Sequence, residues 1–465
     1  IHFRETLPHL HYTKFLTVPR IRNILIIRFE KGEKLLLKKR WLIFISFLLA
    51  FTLIIPTAAS ASEKNYKPNI ALEPIENSEG NEHPIILVHG LGGFGRDELG
   101  GIIKMWGGIH DIEKKLREKG YKVYTAAVGP VSSNRDRAIE LYYQIKGGTV
   151  DYGEAHAKKY GHDRYGRTYP GFYPEWGEIN PKTGKPNKVH LIGHSMGGQT
   201  IRTLAQLLYE GDPEEQKNGG NDISPLLSSK KQPWLHSVLS ISSPHDGSTA
   251  TYFVNDVIPI IQELVIGAGK FAGNIDPNLY DFKLDHWGIK KRPGESFHSY
   301  VRRVRNSPVW KTKDTANWDL KPEGAYELNR WVKAQTDVYY FSVSNTQSRR
   351  SLLTGYYVPD LFMNPSLHPT AYYIGSKTFR KSNFVLDKTW WENDGLVSVK
   401  AMKGPNIGSN DVIVEYNGTP RKGVWNHLGT MRQFDHLDII GWGVRDVTSW
   451  YEDVARFLYS LSDDQ

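Results

Sequence analysis

Val189-His190-Leu191-Ile192-Gly193-His194-Ser195-Met196-Gly197 joins a short apolar run to a serine flanked by two glycines. The apolar part is typical of a buried parallel strand, and a helical pattern follows from Gln199 to Leu208. On such a strand-to-helix turn the backbone is strained and the hydroxyl projects into a site. The five-residue pattern also occurs by chance, and an ordinary turn in a non-catalytic α/β protein is the competing interpretation. The setting favours Ser195 as a nucleophile.

The alternation of strands and helices continues along the chain. Apolar runs predict further strands at Ile85 to Val88, Tyr121 to Ala127, Leu235 to Ser240 and Val338 to Ser344. Helical patterns lie between them, for example at Ile112 to Lys119 and Ala325 to Ala334. Without internal repeats, this pattern predicts an α/β fold with a mostly parallel central sheet, helices on both faces and one domain over residues 84–465.

A serine nucleophile needs a histidine base and a carboxylate that orients it, and around this type of turn the chain order is serine, acid, histidine. The search is therefore confined to residues after Ser195. Asp394 precedes the apolar pair Leu396-Val397, where a loop should leave the sheet, and His436 lies ahead of a final helical segment. These two are the candidates. By order alone, His286, His298, His368 and His427 are rival bases.

The oxyanion formed by attack on an ester needs two preorganised donors. Backbone N–H groups supply them in this type of fold, one from the residue after the nucleophile and one from a loop after an early strand. Those residues are Met196 and, in His89-Gly90-Leu91-Gly92-Gly93, Leu91. Because the donors belong to the main chain, the side chains are free to vary.

Positive charge is concentrated at the start of the chain. Residues 1–61 hold ten Lys and Arg but three Asp and Glu, which leaves 49 basic and 47 acidic residues for the rest. The charge therefore argues against a nucleic-acid partner. Lys38-Lys39-Arg40, the apolar run Trp41 to Ile55 and Ala59-Ser60-Ala61 form the layout of a secretory signal over residues 31–61, cleaved after Ala61. The apolar run is short for a membrane anchor.

The segments on either side of this signal carry less information. Residues 1–30 fit no targeting layout and are interpreted as upstream sequence outside the natural protein. Residues 62–83 are polar and acid-leaning and are interpreted as an arm that leads into the first strand. The chain contains no cysteine, which excludes disulfides, thiol catalysis and Cys-ligated zinc.

An amphipathic helix is predicted from Phe253 to Ala268. Its apolar stripe consists of Val254, Val257, Ile258, Ile261, Leu264 and Val265. A core helix is one interpretation of this pattern. The other is a lid over about residues 250–275, which covers the site in water and turns its apolar face to a lipid surface. Its position shortly after Ser243-Pro244-His245-Asp246-Gly247 favours the lid.

Several blocks of sequence together suggest a known family. They are His89 to Arg96, Val128 to Asn134, Gly148 to Gly153, Gly166 to Gly171, Ser243 to Gly247, Tyr280 to Asp285 and Glu392 to Gly395. In this order they resemble the secreted bacterial lipases of Bacillus, Geobacillus and Staphylococcus, over nearly everything from Pro84 onward. The resemblance implies the α/β-hydrolase fold, triacylglycerol hydrolysis outside the cell and a triad of Ser195, Asp394 and His436.

Two other functions stay open beside this one. The triad does not select the alcohol that leaves, so a broad carboxylesterase or phospholipase on the same scaffold is the enzymatic alternative. A catalytically dead scaffold acting as a secreted binding protein is the other, although no member of the triad is missing. The oligomeric state cannot be read from the sequence.

The resemblance further implies two metals. Zinc would be bound by Asp136, His156, His162 and Asp285, and two carboxylates with two neutral imidazoles in a closed set suit a structural zinc ion. Calcium would lie near His436, bound by the carbonyl of Gly324, by Asp438 and, with an imperfect match, by Asp446. Calcium prefers six or more oxygen ligands, so a missing carboxylate should weaken that site.

Overall fold

A computed structural model describes residues 68–76, 78–254, 280–443 and 445–463. The strands in these ranges are β1 (Ile85–Val88), β2 (Val123–Ala126), β3 (Gly148–Asp151), β4 (Tyr165–Tyr169), β5 (Val189–His194), β6 (Leu235–Ile241), β7 (Tyr339–Thr346), β8 (Ser348–Arg350), β9 (Tyr357–Pro359), β10 (Phe379–Arg380), β11 (Val385–Leu386), β12 (Ile413–Glu415) and β13 (Trp425–Arg432). The α-helices are α1 (Ile112–Glu118), α2 (Asn134–Lys146), α3 (Glu154–Tyr160), α4 (Met196–Glu210), α5 (Pro213–Asn218), α6 (Ala250–Phe253), α7 (Phe297–Arg305), α8 (Ala316–Asp319), α9 (Pro322–Asn329), α10 (His368–Ile374), α11 (Val399–Met402) and α12 (Thr448–Tyr459).

Seven strands form the central sheet, in the order β12-β13-β7-β6-β5-β1-β2, and every neighbouring pair is parallel. Successive side chains are buried on opposite faces. In β1, Ile85 and Leu87 belong to one hydrophobic core, while Ile86 and Val88 belong to the other. Residues of α1 and α12 contribute to the first core, and residues of α2 and α4 to the second. The predicted parallel sheet with helices on both faces is therefore confirmed.

The predicted elements are present with shifted ends. β2 is shorter than the predicted run Tyr121 to Ala127, β7 extends to Thr346, and α9 covers Pro322–Asn329 rather than Ala325 to Ala334. Two strands of the sheet, β12 and β13, were not predicted. β13 contains Asn426, His427 and Arg432, so no continuous apolar run marks it.

The arm before β1 is part of the folded unit. Ile70 and Leu72 are buried in the first core. The side-chain amide of Asn81 donates to the carbonyl oxygens of Leu458 and Leu461, at 2.9 and 3.0 Å, at the end of α12. The arm therefore packs against the C-terminal helix as well as leading into the sheet.

Three predicted segments lie wholly or mostly outside the described residues. These are residues 1–30, the signal at 31–61 and the lid at about 250–275, where the description stops at Val254 and resumes at Tyr280. In the ranges that are described, no helix has both the length and the apolar character needed to cross a bilayer.

Candidate active site

Ser195 occupies the turn between β5 and α4. Its backbone has φ 55° and ψ −130°, a sparsely populated conformation that costs about 1–3 kcal/mol for a residue other than glycine. The flanking glycines make the turn possible. A Cβ on Gly193 would lie 2.5 Å from the carbonyl of Gly197, and a Cβ on Gly197 would lie 2.2 Å from the carbonyl oxygen of Val88. The residue types at this turn are therefore dictated by close backbone packing.

Asp394, His436 and Ser195 form a continuous line of hydrogen bonds. His436 Nε2 lies 2.9 Å from Ser195 Oγ, and His436 Nδ1 lies 2.6 Å from Asp394 Oδ2. The other oxygen, Asp394 Oδ1, accepts from the backbone N–H groups of Leu396 at 3.0 Å and Val397 at 2.8 Å. Both Asp394 and His436 are buried. The carboxylate is thus held by the backbone while it orients the imidazole.

The four rival histidines lie elsewhere. His427 belongs to β13 and its Nδ1 lies 3.2 Å from Ser342 Oγ, while His368 Nε2 lies 3.1 Å from the carbonyl oxygen of Met363. His298 is exposed on α7. His286 lies in the metal cluster described below. Of His436 and its four rivals, His436 is the one that contacts the serine.

The loop after β1 approaches Ser195 closely. A Cβ on Gly90 would lie 2.7 Å from Ser195 Cβ, so glycine is required there. The side chain of the next residue, Leu91, packs against Met196, the first residue of α4. Neither backbone N–H, of Leu91 or of Met196, bonds to another residue that the structure describes. One free donor at the N-terminus of a long helix and a second on the adjacent loop suit a developing oxyanion.

Arg137 secures this loop, and the sequence analysis did not identify it. Its buried guanidinium donates to the carbonyl oxygens of His89 and, at 2.7 Å, of Gly129, and to Thr200 Oγ1 at 2.8 Å. Burial lowers the pKa of Arg137 to about 10, so the side chain stays cationic at neutral pH. Arg137 therefore ties the loop before Leu91 to α4. The sequence signal for Arg137 was its position next to Asp136, a predicted zinc ligand.

Two further polar side chains hold the histidine loop. Asn345, near the end of β7, donates through Nδ2 to the carbonyl oxygens of Asp435 at 2.8 Å and Phe434 at 3.3 Å. His194 Nε2 lies 2.9 Å from the carbonyl oxygen of His436. Burial lowers the pKa of His194 well below its ordinary value, so the ring is neutral and can donate this bond. Both side chains fix the backbone on which His436 is carried.

A cavity that opens to solvent lies over Ser195 and His436. Its apolar wall is formed by Leu91, Met105, Ala250, Val254, Leu320, Leu396, Val397, Leu437 and Trp442. Ser248, Thr251 and Thr370 add a few polar atoms. A mainly apolar cavity with one reactive hydroxyl suits a substrate that has a hydrocarbon portion.

Three of the four predicted zinc ligands lie together. Asp136, His156 and His162 converge with Asp314, and their donor atoms lie within 4.8 Å of one another. His156 Nε2 lies 3.3 Å from Asp136 Oδ1 and 3.2 Å from Asp314 Oδ2. These nitrogen and oxygen atoms, with His162 Nε2, are buried and have no hydrogen-bond partner among the described residues. Because unpartnered buried polar atoms are costly, the set fits a tetrahedral cation such as zinc.

Asp285, the predicted fourth zinc ligand, does not belong to this cluster. Its carboxylate instead bonds to the guanidinium of Arg167, and Asp314 takes the place assigned to it. The residue after it, His286, does reach the cluster, with Nε2 3.3 Å from Asp136 Oδ2. From the sequence, His286 was a rival base with no predicted part in metal binding.

The residues predicted for calcium do not converge. Within the ranges that the structure covers, the clusters of three or more potential ligands include neither Asp438 nor Asp446. Asp438 Oδ2 lies 3.4 Å from the guanidinium of Arg445, and Asp446 accepts from Thr448. Gly324 lies within α9. An arginine faces the Asp438 carboxylate, and the calcium site stays a prediction.

The sheet order and the serine at the strand-to-helix turn place the chain in the α/β-hydrolase class, as predicted. Comparison with known proteins agrees. The chain belongs to the family described as lipase-like, C-terminal domain, whose family model matches residues 81–465.

Solved structures and curated relatives give the same result. The structure of EstA from Clostridium botulinum is similar, with a TM-score of 0.82 and 46% identity over 91% of this chain and 99% of that one. Lipase 1 from Pelosinus fermentans has a TM-score of 0.75 and 47% identity, over 82% of this chain and all of that one. A lipase of Staphylococcus epidermidis is 40% identical over 88% of this chain. The match spans 55% of that relative, about half its length.

Proposed function

We propose that this chain is an exported triacylglycerol lipase that hydrolyses the carboxylic esters of acylglycerols at a lipid–water interface. The observation that carries the proposal is the hydrogen-bonded line from Asp394 through His436 to Ser195, which faces a mainly apolar cavity. Similarity to proteins named as lipases supports it.

The proposed reaction begins with attack of Ser195 Oγ on the ester carbonyl carbon, while His436 Nε2 takes the hydroxyl proton. Asp394 Oδ2 accepts the Nδ1–H bond and stabilises the imidazolium. The N–H groups of Leu91 and Met196 donate to the oxyanion. His436 then passes the proton to the leaving alcohol, and an acyl-enzyme remains. Attack by water, with His436 again as base, releases the fatty acid and restores Ser195.

The proposed zinc ligands are Asp136, His156, His162 and Asp314. Bound zinc would neutralise two buried carboxylates and close the ligand set without an open position, which is a structural role. Burial opposes ionisation of Asp136, but the neighbouring imidazole of His156 keeps the pKa of this carboxyl well below its ordinary value. The carboxylate is therefore ionised at neutral pH. Calcium is not part of the proposed function.

Covalent labelling by a long-chain organophosphonate tests the nucleophile. We expect one label per chain, on Ser195, and none in the variant Ser195→Ala. Ser248→Ala is the matched control, because this serine lines the same cavity and should leave the labelling rate unchanged. A label elsewhere, or labelling that survives in Ser195→Ala, would contradict the mechanism.

Substrate profiling separates the lipase from its alternatives. Hydrolysis of emulsified long-chain triacylglycerols should exceed hydrolysis of short soluble esters and of phosphatidylcholine. A preference for short soluble esters would favour a broad carboxylesterase, and release of fatty acid mainly from phosphatidylcholine would favour a phospholipase.

Two exposed leucines support contact with a lipid surface. Leu352 and Leu353 join β8 to β9 and are fully exposed, at 103% and 98%. The base of this hairpin adjoins the acid loop, since Ser348 Oγ accepts from the N–H of Asn393 at 2.9 Å. Burying one leucine in an apolar phase is worth about 1.5–3 kcal/mol. Replacement of both Leu352 and Leu353 by serine should therefore weaken adsorption to emulsions at least tenfold. The turnover of soluble esters should be unchanged.

Val412→Ser is the matched control, because Val412 is an exposed valine outside this hairpin, at 53%. Equal adsorption of all three proteins would refute the contact.

The lid over about 250–275 and the cleavage of residues 31–61 both stay predictions. N-terminal sequencing of secreted protein tests the second, with Ser62 expected as the first residue.

A further inference from the structure

A second group of potential metal ligands lies away from the triad and the zinc cluster. It consists of His83, before β1, His236, in β6, and Asp463, after α12, with donor atoms within 4.8 Å of one another. From this geometry we propose that His83, His236 and Asp463 bind a second transition-metal ion, with zinc as the physiological candidate. Neither the sequence patterns nor the proposed reaction makes use of these three side chains.

The distances suit a cation better than a full set of hydrogen bonds. His83 Nε2 lies 3.1 Å and His236 Nδ1 lies 3.6 Å from the same atom, Asp463 Oδ1. In tetrahedral zinc with bonds of about 2.0–2.1 Å, neighbouring ligand atoms are about 3.3 Å apart. The first distance also fits a hydrogen bond, but the second exceeds one. A cation between the three atoms would satisfy both rings together.

His236 gives independent evidence. It is buried, with 2% of its surface exposed, and the nitrogen that faces the cluster is Nδ1, 3.6 Å from Asp463 Oδ1. A third histidine, His190, lies 5.1 Å away between ring centres. Its two nitrogens are already engaged, by Ser237 Oγ at 2.7 Å and Asn81 Oδ1 at 2.8 Å. His190 therefore has no free nitrogen for a metal and is not a ligand.

Burial and nearby lysines oppose protonation of the two imidazoles, while Asp463 favours it for His83. Burial lowers the pKa of His83 and, more strongly, of His236, and the cationic Lys188 adds to both effects. Lys122 acts on His83 and Lys422 on His236 in the same direction. Neutral rings leave a nitrogen lone pair free for a metal. The same lysines repel a cation, so binding should be weaker than at the zinc cluster with its two carboxylates.

The ligand types select the metal. Two imidazoles and one carboxylate suit zinc, cobalt or nickel and do not suit calcium, which prefers oxygen ligands. The fourth position would be taken by water, because the side chains of His83 and Asp463 keep 15% and 21% of their surface exposed. The ion would join the arm, the central sheet and the chain after α12, whose ligands are up to 380 residues apart in sequence. Its role would be to hold the two ends of the domain together.

Zinc stoichiometry of the full chain tests the proposal. After equilibration with excess zinc and gel filtration, mass spectrometry of the metal should give one equivalent less for His236→Ala and for Asp463→Asn than for the unmodified protein. Asp463→Asn keeps the size of the side chain and an acceptor for His83, so it covers the case in which His236→Ala does not fold. His298→Ala is the control, since it removes an exposed histidine on α7.

The comparison does not depend on the zinc cluster. Asp314→Asn, measured in parallel, reports on that cluster alone, and the difference of one equivalent should persist in its background. Added zinc should also raise the Tm of the Asp314→Asn protein, and this rise should disappear when Asp463→Asn is introduced. Equal zinc content with and without the His236 and Asp463 changes, and a Tm that zinc does not move, would overturn the proposal.

Discussion

Exchange of one acidic residue at a time distinguishes the two candidates for the fourth ligand of the zinc cluster. Asp314→Asn keeps the shape of the side chain but removes the charge from an oxygen that lies 3.2 Å from His156 Nε2 and 3.4 Å from His162 Nε2. Asp285→Asn makes the same chemical change at the residue that the sequence favoured. We expect the first variant to lose zinc and the second to keep it.

The contacts of each residue set the size of the effect. Loss of a residue that merely orients a zinc ligand weakens binding by about 10–100-fold. A ligand itself should cost at least the upper end of this range, so Asp314→Asn should bind zinc at least 100-fold more weakly, by about 2.7 kcal/mol. Asp285 bonds to Arg167, which still reaches Asp281 Oδ2 at 2.7 Å. Such a partly exposed pair is worth about 0–1 kcal/mol.

Competition with a chromophoric chelator measures the affinity, and urea unfolding measures the stability of each variant. Zinc affinity of Asp285→Asn should equal that of the unmodified protein within a factor of about three, the usual scatter of such contributions. If Asp285→Asn lost zinc while Asp314→Asn retained it, the ligand set drawn from these distances would be wrong and the family-based assignment right.

Three other variants test the active site. His436→Ala should lower kcat for esters by at least about 10⁴-fold. His427→Ala removes a buried histidine outside the triad, and its kcat should stay within tenfold of the unmodified protein. Comparable losses of kcat in both variants would argue against His436 as the base. Gly90→Ala should lower kcat by about 100-fold, because its Cβ would lie 2.7 Å from Ser195 Cβ. Gly120→Ala is the control, because the space around its Cβ is open. It should cost about 1 kcal/mol of stability and leave the activity unchanged. Asn345→Asp places a carboxylate against two carbonyl oxygens. It should lower kcat and reduce the free energy of unfolding by about 3 kcal/mol. An unchanged kcat would show that Asn345 does not support the histidine loop.

The triad could be predicted because each of its members leaves a local signal or obeys an order. Ser195 lies between a continuous apolar strand and a helix, with glycines where the backbone allows nothing larger. Chain order then confines the acid and the base to later residues. Even so, order alone left rival histidines, and the family resemblance was needed to single out His436. In the structure, His436 Nε2 lies 2.9 Å from Ser195 Oγ.

The fourth zinc ligand could not be predicted from the residues, because it depends on pairing at a distance. Asp285 and Asp314 are both aspartates with no distinguishing spacing. Which of them is free to reach His156 depends on Arg167, which lies more than a hundred positions before either and engages Asp285. Strand β13 was not predicted because polar side chains interrupt its apolar pattern. Its place in the sheet, between β12 and β7, depends on pairing with distant strands.

The metal cluster and the oxyanion donors are connected through α2. Asp136 and Arg137 are consecutive residues of this helix, and consecutive helical side chains point about 100° apart. Asp136 therefore faces the histidines of the cluster, while Arg137 faces the loop that carries Leu91 and donates to the carbonyl oxygen of His89. A change that turns or loosens the start of α2 moves both side chains.

The chain after Asp314 makes the same connection from the other side. Two residues later, the N–H of Ala316 donates to the carbonyl oxygen of Val131 at 2.9 Å. The Ala316 side chain packs in one small cluster with Met196 and Leu91, the two residues whose N–H groups are proposed to bind the oxyanion. Both carboxylates of the zinc cluster thus lie within two residues of a group that holds these donors. Binding of zinc to Asp136 and Asp314 would therefore fix the geometry of the oxyanion site although the ion takes no part in the reaction.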